Sequence, residues 1–170
     1  MKTQLNKLSN YKIFKGLSDK DIEIFTTLIA IKEFSKNDKI IEENDSGDSI
    51  LFLLNGDISI TKALTLATSK GKKNDNSEKE LIRLNSEDYH FLGELSLFSE
   101  DKKRTATVKA LTKCEIGYLT SKDFFNVCSA NKDIGYKVVS NIANIVTANL
   151  IKSNHDVLKL TTAFSLLMSK

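Results

Sequence analysis

The chain is poor in the residues that most catalytic chemistry needs. It has two histidines, His90 and His155, and two cysteines, Cys114 and Cys128. A metal enzyme built on a jelly roll requires several His and carboxylate ligands converging inside the barrel, and two isolated histidines do not supply them; His90 reads as a loop or strand-edge residue. Neither cysteine has a His or a second Cys at metal-binding spacing. Both sit in apolar surroundings and read as reduced core residues of a reducing compartment. No Ser/His/Asp or Cys/His arrangement and no Walker-type loop is present, so the expectation is a protein that is not an enzyme, with no catalytic residue, metal or cofactor. A surplus of charge of one sign is also lacking. The formal net charge is +3, with Lys and Arg spread along the chain, which gives no clustered basic face for direct nucleic-acid binding. No apolar run approaches the roughly 18 residues of a membrane span, and the N-terminus MKTQLNKLSNYK lacks the apolar core of a secretory signal,. The expected location is cytoplasmic, with no membrane partner.

What is present is a pattern of short strands framed by helices. At 170 residues the chain has room for one domain with a core, plus a helical extension,. Ser18 with Asp21 forms a capping-box pattern, and Ile22, Phe25, Leu28 and Ile29 follow at helical spacing, predicting a helix from Gly16 to about Ile31,. From Lys32 the period shortens, with strand-like runs in KIIEE, SILFLL, DISITKAL, ELIRL, RTATVKAL and CEIGYL,. NDSGD (44–48) and Asn55-Gly56 separate them, and the latter pair signals a tight hairpin,. TLATSKGKKNDNSEKE (65–80) reads as a long, mobile hairpin loop,. After Leu119 the helical period returns: Thr120 and Asp123 start a short helix, and a long one follows Asn131,. Its apolar positions from Ile134 to Ile151 make a stripe wider than one partner needs, which suggests a second copy of the chain; Val157–Met168 reads as a further helix,. The expected class is α+β, mainly β: an antiparallel β-barrel or jelly roll with an N-terminal helix and C-terminal helices. Residues 1–152 form the domain and 153–170 a helical extension or linker.

One carboxylate stands out. Glu94 lies between Gly93 and the apolar Leu95, Leu97 and Phe98, and a buried carboxylate is costly unless paired or hydrogen-bonded. Arg104 follows ten residues later, at the head of the alternating RTATVKA. The two read equally well as a structural ion pair or as halves of an anion site. In the second reading Gly93 lets backbone approach a ligand, and LSLFS (95–99) offers the N–H groups of a helical turn. Arg104 then supplies a planar cationic fork and Thr105 a hydroxyl. An ionised Glu94 only accepts, so it suits a hydroxyl such as a ribose 2′-OH.

GELSLFSEDKKRTATVKA resembles the phosphate-binding cassette of the cyclic nucleotide-binding domains, which occur in catabolite activator-type transcription factors, protein kinase A and G regulatory regions and cyclic nucleotide-gated channels. The family pattern is Gly-Glu-Leu, a short helix, then Arg, a small or hydroxyl residue and Ala, matched here by Gly93, Glu94, Leu95, Arg104, Thr105 and Ala106. NDSGDSILFLLNGDISI is similar to the family's glycine-bearing hairpin and TKCEIGYLTSKDFFNV to its last strand and the following helix, so the likeness covers roughly residues 10 to 150. The resemblance implies that Arg104 binds the phosphate and Glu94 the ribose 2′-OH. Gly93, Leu95 and Ser96 would add backbone contacts and Thr105 a hydroxyl, with Asn149 facing the base from the long helix, often that of the partner subunit. The implied ligand is cyclic AMP or cyclic GMP, and the implied role a sensing and signal-transducing regulatory domain that works as a homodimer. A ligand-free dimerisation or docking module of the same fold is the alternative. Ile145 and Leu150 stand where the activator type carries Arg and Ser, and residues 152–170 are too few for its winged helix-turn-helix. The expectation is a piece of a larger protein or a stand-alone sensor.

Overall fold

A computed structural model describes residues 7–63 and 78–168. Two short 3-10 turns, Leu8–Asn10 and Lys12–Phe14, precede the first helix, α1 (Asp19–Thr26). The capping box is formed: Ser18 Oγ accepts from the Asp21 amide and the Asp21 carboxylate accepts from the Ser18 amide. The helix is shorter than its periodicity implies. Chain from Ala30 is already strand, and Ile29 enters the core from the connection between the two.

Among the described residues eight strands follow: β1 (Ala30–Phe34), β2 (Lys39–Ile41), β3 (Ser49–Asn55), β4 (Asp57–Ala63), β5 (Glu78–Asn85), β6 (Phe91–Leu92), β7 (Thr107–Ala110) and β8 (Cys114–Thr120). They form two antiparallel four-stranded sheets, ordered β1-β8-β3-β6 and β2-β7-β4-β5, as expected of a jelly roll. The sheet membership corrects one expectation. Asn55-Gly56 is a sharp turn, with Gly56 at φ 93°, but β3 pairs with β8 and β6 while β4 pairs with β5 and β7. The turn is therefore a corner where the chain leaves one sheet for the other, not a hairpin. The true hairpin joins β4 to β5, pairing Ala63 with Glu78; the loop predicted between them lies largely outside the described residues, and its last three, Glu78 to Glu80, are strand.

The strand SILFLL is buried along its whole length because both its faces are covered,. Leu51 and Leu53 face the second sheet, meeting its Ile58, Val108 and Ala110 together with Ile116 of the neighbouring β8. Ile50, Phe52 and Leu54 face the helices, meeting Phe14, Phe25, Phe124, Val138 and Ile142. One strand thus ties the barrel interior to the helical layer.

The short helix α2 (Glu94–Phe98) interrupts the barrel, α3 (Ser121–Ala130) starts from Thr120, whose hydroxyl accepts from the Asp123 amide, and α4 runs unbroken from Lys132 to Met168. The separate helix expected from Val157 is part of α4. Ile134, Val138 and Ile142 pack into the chain's own core. A seam that shares Val146 with the core-facing side carries Val139, Ala143, Val146, Leu150, Ser153, Val157, Leu160, Phe164 and Leu167, spaced alternately four and three residues apart, the heptad pattern of a coiled coil. Leu150, Val157, Leu160, Phe164 and Leu167 on it are more than half exposed. Among the described residues no helix is long and apolar enough to cross a membrane.

Candidate functional site

The site is built around Gly93, which caps α2 in the left-handed region at φ 88°, ψ 3°. That turn swings the chain from β6 into α2 and places Glu94, Leu95 and Ser96 on the helix's first turn. Arg104 arrives from the other side. Its amide donates to Asp45 O at 2.8 Å and its carbonyl accepts from the Asn44 amide at 2.9 Å, so the loop after β2 fixes its backbone. The side chain then turns inward and is 7% exposed.

Three neutral contacts hold the guanidinium. Nη1 donates to Ser49 O at 2.9 Å and to Ser96 Oγ at 3.0 Å, and Nη2 donates to Ser49 Oγ at 3.0 Å. Ser96 Oγ in turn donates to Gly93 O at 2.9 Å. Two glycines make the room. A Cβ on Gly93 would fall on Arg104 Nη1, and one on Gly47 would fall on the Ser96 side chain and 2.9 Å from Arg104 Cδ. Burial pulls the Arg104 pKa below its ordinary value, against the opposing charges of Asp48, Tyr118 and Glu94.

Glu94 is half-buried, and burial raises its carboxyl pKa above the ordinary carboxylate value; its own backbone N–H and the Arg104 charge oppose the shift without cancelling it. Of the two readings left open for this pair, the structural ion pair is not the one formed. Arg104 bonds to serines, and its attraction to Glu94 acts through space.

Gly93, Glu94, Leu95, Ser96, Arg104, Thr105 and Ala106 all line one cavity of about 150 Å³, closed by Ile41, Ile60, Leu92 and Val108. Asn149 is the exception: it lies exposed on α4 and is not among the lining residues. A cation, a free-standing carboxylate and a cluster of backbone and hydroxyl donors thus share one apolar-walled recess. It suits a small anion joined to a hydroxyl. A second, apolar groove of about 380 Å³ runs between α2 and α4, lined by Glu94, Leu95, Phe98, Val139, Ile142, Ala143 and Val146. Among the described residues no group of His, Cys, Asp and Glu could hold a metal ion. Ser49 is the residue that sequence reasoning missed; Gly47 is legible as a glycine of the family's hairpin, but the Gly-Asp-Ser turn carries no mark of a contact to Arg104.

Residues 31–131 match the family model described as the cyclic nucleotide-binding domain. The cAMP-activated global transcriptional regulator CRP of Salmonella typhimurium is 28% identical over 129 residues, 76% of this chain and 56% of that protein. The chain therefore spans about half the length of the curated relatives it matches. Among solved structures, the Catabolite Activator Protein of Thermus thermophilus superposes with a TM-score of 0.73 at 17% identity, over 88% of this chain and 63% of that one. The cAMP-bound PfPKA-R superposes with a TM-score of 0.60 at 30% identity, over 74% and 41%.

Proposed function

This chain belongs to the cyclic nucleotide-binding domain family, and on that premise we propose that the cavity at Arg104 binds a cyclic nucleotide and reports its presence through α4. The observation that carries the reading is a buried arginine held only by neutral groups beside a half-buried carboxylate without a cation of its own. Arg104 takes the phosphate, helped by the Thr105 hydroxyl and by backbone at Gly93, Leu95 and Ser96, with Ala106 keeping the wall small. Glu94 accepts from the ribose 2′-OH. The recess of about 150 Å³ suits the sugar phosphate, and the base extends toward its rim. Cyclic AMP is the first candidate, because both the curated relative and PfPKA-R carry cAMP in their names.

The heptad seam of α4 favours a second copy of the chain as partner, since a coiled-coil seam is self-complementary. In a parallel pair Asn149 neighbours the seam residue Leu150 and is carried toward the other protomer. Residues 1–152 then act as the sensing domain and 153–170 as its C-terminal extension, helical as far as Met168. Occupancy of the cavity shifts a two-state equilibrium of the helices by differential affinity. The role is that of a regulatory domain in the cytoplasm, not of an enzyme.

The test is a thermal melt of the chain with cyclic AMP and with cyclic GMP. Ligand at 100 times its Kd stabilises by about 2.7 kcal/mol, or several degrees in a domain of this size. No shift with either ligand at millimolar concentration refutes the reading. Arg104→Ala is expected to weaken binding by about 2–3 kcal/mol, the worth of a charge-assisted contact.

A further inference from the structure

We infer that Ser49 is a positioning residue for Arg104: its carbonyl and hydroxyl together grip one edge of the guanidinium and leave the other edge set for an anion. The inference deepens the phosphate reading of the cavity and rests on it for its link to binding.

A guanidinium has five N–H donors in one plane. One pair, a proton each from Nη1 and Nη2, forms the terminal edge. A second pair, Nε–H and the other Nη2 proton, forms the lateral edge. The fifth is the Nη1 proton turned back toward Cδ. Ser49 meets Nη1 with its carbonyl at 2.9 Å and Nη2 with its hydroxyl at 3.0 Å, and one residue at both terminal nitrogens occupies the terminal edge. Ser96 Oγ, at 3.0 Å from Nη1, takes the fifth proton. The lateral edge, a bidentate match for two phosphate oxygens, is what remains.

The grip is neutral, and that decides its value. A carboxylate on the terminal edge would spread the arginine's charge into an internal ion pair and compete with an incoming phosphate. Two serine oxygens and a carbonyl satisfy a buried cation without cancelling it. Ser49 and Ser96 are themselves 6% and 1% exposed, so water does not replace their hydroxyls. Removing the Ser49 hydroxyl frees Nη2, and the fork can then pivot about its Nη1 contacts.

The experiment uses the full chain. Arg83 is the only other arginine; its side chain is 70% exposed and pairs with Glu80 through Nε, so it serves as an internal reference. In side-chain nitrogen NMR of the ligand-free protein, Arg104 is expected to show resolved Nη–H signals, because its C–N rotations are blocked, while Arg83 shows averaged ones. Ser49→Ala should average the Arg104 Nη2–H signals, leave Nη1 held by Ser49 O and Ser96 Oγ, and weaken cyclic nucleotide binding about ten-fold. Ser49→Thr should restore both. Averaged Arg104 signals in the unmodified protein overturn the inference. So does a Ser49→Ala protein with unchanged signals, or one that melts lower yet binds as before, which makes the hydroxyl merely structural. A chain that binds neither cyclic nucleotide but shows Arg104 signals governed by Ser49 refutes the function proposed above and leaves the grip standing.

Discussion

Gly93→Ala is the most discriminating single-methyl perturbation of this site. The residue sits at φ 88°, where a Cβ costs about 1–2 kcal/mol through its clash with the neighbouring carbonyl. The methyl would also fall on Arg104 Nη1 and lie 2.7 Å from Ser49 O, the latter a backbone atom in a central strand. The strand cannot yield, because β3 is paired on both sides and buried on both faces. The arginine must yield, giving up contacts of which each is worth about 1.5–3 kcal/mol when one partner is charged. Part returns when the displaced guanidinium finds water. A net loss of about 2–4 kcal/mol follows from strain and lost contacts together, or a fall in Tm of roughly 4–16 °C for a domain of this size. Ligand affinity should fall at least as far as in Arg104→Ala, since the fork is driven off its position. The assay is a ligand-free melt together with calorimetric titration of cyclic AMP. The double variant with Arg104→Ala separates the terms. If the methyl acts on the arginine, the double variant is less destabilised than the sum of the singles. Additive losses, or a Gly93→Ala protein that melts and binds as before, refute the geometry.

Glu94→Gln should raise the ligand-free melting temperature at pH 7. Burial holds the Glu94 pKa above its ordinary value, so the folded chain keeps the proton to higher pH than the unfolded chain, and stability falls as pH rises between the two values. The amide escapes that fall, and the gap between the two proteins should close toward pH 4; a substitution that lowers the melt at pH 7 contradicts it. A ribose hydroxyl bonds more strongly to an ionised Glu94 than to a protonated one, so the chain's affinity for cyclic AMP should decline as pH drops through the raised Glu94 value, measured by titration across pH 4–8. Its preference over 2′-deoxy cyclic AMP should shrink in Glu94→Ala; an unchanged preference removes Glu94 from the ribose. Leu160→Glu with Phe164→Glu should convert a dimer into a monomer in sedimentation while leaving the melt of the barrel intact. A monomer before substitution excludes the second copy.

The parts of this protein legible in its sequence are those whose cause is local. Ser18 and Thr120 announce their helices through side chains that bond three residues on. The cassette is legible for the same reason, because Gly93, Glu94 and Arg104 are separated only by α2 and a turn. Partnership between strands is not local. Asn55-Gly56 has the composition of a hairpin, but whether a corner closes a hairpin or changes sheet depends on β8, some sixty residues away. β6 is two residues long, too short for any period to show. The apolar spacing runs past the end of α1 because Leu28 and Ile29 continue it; Ile29 is buried for a different reason, beside Gly117 in the helix-facing layer. Ser49 was invisible because its partner lies 55 residues further along.

That division explains the asymmetry between the two charges of the site. Arg104 is recruited into the fold by a distant strand, and its cost of burial is met by serines that the fold would hold in place with or without a ligand. Glu94 receives nothing comparable: its support is its own backbone N–H and the field of a cation engaged elsewhere. A fold selected only for stability has no use for this arrangement, because pairing the two charges directly would lower the cost of both. Keeping them apart leaves the cation with an unused edge and the carboxylate with no donor but its own backbone N–H. A phosphate ester bearing a neighbouring hydroxyl satisfies both deficits at once, whereas inorganic phosphate satisfies the first alone. On the proposed function, the ester linkage between the two groups is what the site would select for, before any contact to a base.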